Sequence, residues 1–115
     1  MGKRRLINDY QDLPYEDFVG LLNTTSGKGE TDLLHHSLAI ASEAGEFCGK
    51  VMKEVYRGQV YSSESYISEL GDILFSLTAL INSYGVSLSE LQEKNKEKLI
   101  DRYNRKVLHG DGDNR

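Results

Sequence analysis

Two pairs of acids at helical spacing, Glu43-x-x-Glu46 and Glu69-x-x-Asp72, lie inside the two most apolar stretches of this sequence. Residues three apart on a helix share a side, roughly 60° apart around the axis and about one turn apart in height. Each pair is therefore a two-carboxylate claw. Asp72 heads the run Ile73-Leu74-Phe75-Ser76-Leu77-Thr78-Ala79-Leu80-Ile81, where an uncompensated charge is costly. Like charges at this spacing also repel each other in the absence of a cation. Four oxygen donors on two packed helices, with no His or Cys among them, suit a hard divalent ion such as Mg²⁺, with Mn²⁺ as a substitute.

The chain has 115 residues, which predicts one domain over 1–115, long enough for a core yet small enough to gain from self-association. A net charge of -4, a pI of about 5.3 and the lack of a broad basic face argue against nucleic acid as a main partner. No membrane association is expected either. Lys3-Arg4-Arg5 has no apolar segment after it, Leu6 stands where a myristoylation motif needs Ser or Thr, and the apolar run at 73–81 is too short to cross a bilayer. The single cysteine, Cys48, gives no disulfide framework, which fits a cytoplasmic location. Its helical neighbours are apolar, so a buried structural thiol is expected.

Helix signals punctuate most of the chain. Pro14 falls near a first turn, with Asp12 as a candidate cap, and Tyr15, Phe18, Val19 and Leu22 outline a short amphipathic helix to about Thr25. A loop at Ser26-Gly27-Lys28-Gly29 follows, whose Gly-Lys-Gly lacks the spacing of a phosphate-binding loop. A long helix is predicted from Glu30 or Thr31 to about Arg57, stopped by Gly58. Leu33, Ile40, Ala41, Ala44, Cys48, Val51 and Val55 form one face of it; His36, Ala39, Glu43, Glu46, Lys50 and Lys53 form another. The next helix spans about Ser63 to Tyr84 and ends at Gly85. It is apolar nearly all round, so it should be central and buried. Its exception is a stripe of Ser65, Ser68, Glu69, Asp72, Ser76 and Ser83. Ser87-Leu88-Ser89-Glu90 reads as a capping box opening a fourth helix to about Val107. The tail 108–115 is expected to be flexible, and its Asp-Gly-Asp lacks the distal Glu of a calcium loop. No segment alternates long enough for a strand, so the fold class is all-α with four helices.

The acids define the metal chemistry by what accompanies them. A di-iron bundle needs Glu-x-x-His, and neither pair has it. Zinc favours His or Cys. Magnesium or manganese with a phosphate-bearing substrate fits, because these ions keep positions for phosphate oxygens and water. Cations for phosphate are at hand in Lys50 and Lys53, and in Lys94, Lys98, Arg102 and Arg105. His36, near Glu43 on the wheel, is placed to touch a base or sugar, or equally to sit at a core edge. Lys50 and Lys53 can alternatively pair with Glu46 and its neighbours. Tyr10, Tyr15, Phe18, Tyr56 and Tyr61 offer stacking surface or core filling.

The segments Leu38-Ala39-Ile40-Ala41-Ser42-Glu43-Ala44-Gly45-Glu46 and Glu69-Leu70-Gly71-Asp72-Ile73-Leu74-Phe75 closely resemble the MazG-like nucleoside triphosphate pyrophosphohydrolases of the all-α NTP pyrophosphatase superfamily. Tyr84-Gly85-Val86-Ser87-Leu88-Ser89-Glu90-Leu91 and Asn95-x-x-Lys98-Leu99, with Arg102-Tyr103 beyond, extend the likeness over about residues 31–106. The resemblance implies hydrolysis of a nucleoside triphosphate to monophosphate and pyrophosphate. It also implies a helical bundle core completed by a second subunit, as a homodimer or homotetramer. Carried over by position, Glu43, Glu46, Glu69 and Asp72 would hold Mg²⁺ and carry catalysis, Lys53, Asn95, Lys98 and Arg102 would grip phosphates, and Tyr103 would edge the pocket. Several relatives carry a further Glu where this chain has Ser42, so the general base is open. Two alternatives stand beside this: another nucleotide with the same chemistry, and a catalytically idle helical module that binds nucleotide or protein.

Overall fold

The computed structural model describes residues 10–23 and 30–105. Four helices cover most of them: α1 (Tyr15–Leu22), α2 (Glu30–Arg57), α3 (Ser63–Ser83) and α4 (Leu88–Asn104). The expected all-α class holds, and no strand occurs among the described residues. Several expectations lie outside the described residues: those for the basic start, the loop at 26–29 and the tail at 108–115. The first and fourth helices end sooner than predicted, α1 at Leu22 with Asn23 extended after it and α4 at Asn104, rather than at about Thr25 and Val107.

Local chemistry sets the helix ends. Gly58 and Gly85 adopt φ of 68° and 67°, the left-handed conformation that glycine takes without steric cost after a helix. Pro14 opens α1 with its carbonyl, which accepts from the N–H groups of Asp17 and Phe18, both at 3.0 Å. No side chain caps that helix, so Asp12 does not serve there. Ser62 Oγ accepts from Ser65 N at 3.1 Å to start α3, and Ser87 Oγ does the same for α4 from Glu90 N at 3.1 Å. Glu90 does not complete a capping box in the usual way: its carboxylate lies 3.4 Å from the Ser87 hydroxyl. Help comes instead from α1, where Glu16 accepts from Leu88 N and its carbonyl accepts from Asn82 Nδ2 at 3.0 Å. That knot ties α1 to the end of α3 and the start of α4.

α2 and α3 run against each other as a helical hairpin, and α1 lies on α3 with Val19 fully buried. The sides that meet carry the polar stripes. On α3 the covered positions are Glu69, Ser76, Thr78, Ala79 and Ile81. The prediction that α3 is buried all round is therefore corrected, since Ile67 and Leu70 are 64% and 50% exposed. Cys48 is likewise exposed rather than buried. Both corrections have one cause: a two-helix contact covers only the facing side of each helix, and here that side holds the acids. Apolar residues are left outside. On α2, Leu34, Leu38, Ala41, Gly45, Cys48, Met52 and Val55 are all exposed and recur in steps of four and three residues, the spacing of a helix-pairing seam.

Candidate metal centre

The long α2 and the central α3 bring three acids together. Glu43, Glu69 and Asp72 each present a carboxylate oxygen within 4.8 Å of the others. Glu69 is buried, Glu43 half-buried and Asp72 exposed, so the cluster opens from the helix interface toward solvent. Glu46 is exposed and stands outside that trio, although it interacts with the Glu69 carboxyl.

One atom shows the stress in this arrangement. Glu43 Oε2 is buried and receives no hydrogen bond of ordinary geometry. Its nearest influence is the Glu69 carboxyl. That contact, with burial and the charges of Glu46 and Asp72, pushes the Glu43 carboxyl up to about 7. Two carboxylates that close are stable only with a proton or a metal cation between them. Oxygen-only donors in this geometry fit Mg²⁺ or Mn²⁺.

Glu69 is treated differently. Lys50 Nζ lies 2.8 Å from its Oε1, and this ammonium is the main reason the Glu69 carboxyl sits below the usual range. The same ammonium donates to Ser65 Oγ at 2.6 Å and faces the Tyr61 ring, 5.7 Å from its centroid. α1 carries Tyr15. Burial, then the charge of Asp72, raises the Tyr15 phenol, and its ring stacks with Phe18 at 6.4 Å between centroids.

The other residues singled out from sequence fall elsewhere. His36 is 1% exposed, with Nε2 3.1 Å from Asn23 Oδ1 and 3.4 Å from Asp32 Oδ1. Burial lowers its pKa more than Asp32 raises it, and its ring meets Phe75 edge-on at 6.2 Å. Lys53 is half-buried on α2, three residues past Lys50. Asn95 and Lys98 lie on a stretch of α4, residues 92–101, that is exposed throughout. Tyr103 is 71% exposed and Arg102 is buried. Sequence reasoning placed Lys50 near the acids but gave the phosphate role to Lys53. Its steps of four from Glu46 and seven from Glu43 were the available signal. Nothing in the sequence linked Tyr15 to Asp72, because the influence of that charge on the phenol is tertiary.

Residues 32–107 match the family model of the MazG nucleotide pyrophosphohydrolase domain. The chain belongs to this family. A relative among curated proteins, the Gene 37 protein of Mycobacterium phage L5, is 35% identical over 98 residues, covering 77% of this chain and 85% of its own. No solved structure matches. The MazG match takes in all of α3 and α4 and all but the first two residues of α2, so it includes both helices that carry the acids. No helix among the described residues is long and apolar enough to cross a membrane.

Proposed function

We propose that this MazG domain is an Mg²⁺-dependent nucleoside triphosphate pyrophosphohydrolase, releasing a nucleoside monophosphate and pyrophosphate. The observation that carries this reading is the Glu43–Glu69–Asp72 trio with the buried, donor-less Glu43 Oε2, an arrangement built for a cation. When bound, the ion would polarise phosphoryl oxygens and lower the pKa of an attacking water. Glu43, Glu69 and Asp72 would hold it, with Glu46 at the open edge. In the absence of a Glu at position 42, either an acid of this cluster takes the proton from water or the water relies on activation by the ion, and the general base is open between them. Lys53, Asn95, Lys98, Arg102 and Tyr103 are the candidates for phosphate and pocket contacts, and His36 for the base or sugar.

The exposed seam on α2 supports a second copy as part of the enzyme. The seam is nearly symmetric about Gly45: Ala41 and Cys48 flank it, then Leu38 and Met52, then Leu34 and Val55. Such a pattern lets the helix pair antiparallel with itself, and the small residues at its centre allow close approach. The partner would cover apolar surface that one chain leaves wet.

A screen of ribo- and deoxyribonucleoside triphosphates for pyrophosphate release, with Mg²⁺ and then Mn²⁺, tests the reading and finds the base preference. Pyrophosphate from at least one substrate is expected. Nucleotide binding with no product from any of them would favour the idle module instead.

A further inference from the structure

The geometry points to Lys50 as a resident cation of the acid cluster, filling the place a second divalent ion would take, so that the carboxylates of each chain hold one ion. The inference rests on the metal reading above and refines it.

Three partners of different kinds hold the Lys50 ammonium. Glu69 Oε1 accepts at 2.8 Å, Ser65 Oγ at 2.6 Å, and the Tyr61 ring presents its π face at 5.7 Å. Ser65 and Glu69 lie one turn apart on α3, so both are aimed at the same point on α2. Tyr61 is itself fixed: its N–H donates to Glu54 Oε1 at 2.7 Å and its ring meets Tyr66 edge-on at 6.2 Å.

The position of the ammonium decides the ion count. A second ion in this cluster would draw on Glu46 and on both oxygens of Glu69. Lys50 follows Glu46 by one helical turn and already occupies Glu69 Oε1. One Glu69 oxygen then remains for the trio, enough for a single ion whose other positions stay open to water and phosphate. Any further ion in turnover would arrive on the nucleotide.

Mn²⁺ titration followed by electron paramagnetic resonance, on nucleotide-free protein, counts the ions directly. Wild type and K50R should each bind one Mn²⁺ per chain, and K50M should gain a second. Two ions in wild type, or one in K50M, would overturn the assignment. Reductive methylation of wild type read by mass spectrometry needs no variant: Lys50 should stay protected both with and without Mn²⁺. Labelling that appears only when Mn²⁺ is added would mean that the ion evicts the ammonium, which also overturns it. Wild type that binds no Mn²⁺ under any condition is a different result, since it removes the metal reading itself.

Discussion

Glu43 holds a proton that an isolated glutamate would release, because Glu69 lies against it and because it is partly desolvated. The sign of the consequence follows from linkage. In the metal-free protein the folded state keeps this proton to about pH 7, whereas an unfolded chain loses it near 4.5. The associated stability is complete below about 4.5 and is lost as pH rises through 7. Melting temperature should fall across that window in the absence of Mg²⁺, and Glu43→Gln should flatten the fall, as read by circular dichroism at each pH. Mg²⁺ should reverse it at pH 8; at about a hundred times its Kd, an ion adds about 2.7 kcal/mol to folding. Glu46→Ala and Asp72→Ala should each cut turnover by more than about 100-fold while the helices persist. At this scale the sequence was informative about Glu69 and Asp72, which spacing put together, whereas of the pair Glu43 and Glu46 only Glu43 joins them in the trio. It was silent on Asp72 on α3 raising the Tyr15 phenol on α1, an effect between two helices.

The helices behave as their local chemistry dictates. α2 begins at Glu30 and ends at Arg57, where the sequence placed it, because Gly58 is a signal confined to neighbouring residues. Ser87→Ala should cost about 1 kcal/mol by removing the cap of α4. Gly85→Ala should cost about 1–2 kcal/mol by forcing a Cβ into the left-handed region. Urea unfolding of each variant measures both. What periodicity could not reveal was which side of each helix finds a partner. α3 is apolar almost all round, so its own pattern contains no preferred face, and the side that pairs with α2 turned out to be the acidic one. Position 16 gives a similar lesson. Glu16 caps α4 from 72 residues away, a service no local motif announces.

The whole molecule is a hairpin with its charged seam inside and much of its apolar surface outside. Val19, Ala79 and Ile81 are the buried apolar residues among those described, too few for an independent core of this size. The proposed second copy against α2 would cover Leu34 and Leu38, which stand 61% exposed in one chain. Light scattering after gel filtration should give a dimer or a multiple of it, and Leu38→Glu should move the mass toward one chain. A monomer in the unmodified protein at micromolar concentration would contradict the pairing. The claim beneath all of this is that the cluster cleaves one particular bond of a nucleotide. Phosphorus NMR of a nucleoside triphosphate incubated with the protein and Mg²⁺ tests it in one spectrum. The predicted products are the monophosphate and pyrophosphate, absent with Asp72→Ala. Diphosphate with inorganic phosphate, or an unchanged triphosphate for every base, would contradict the account.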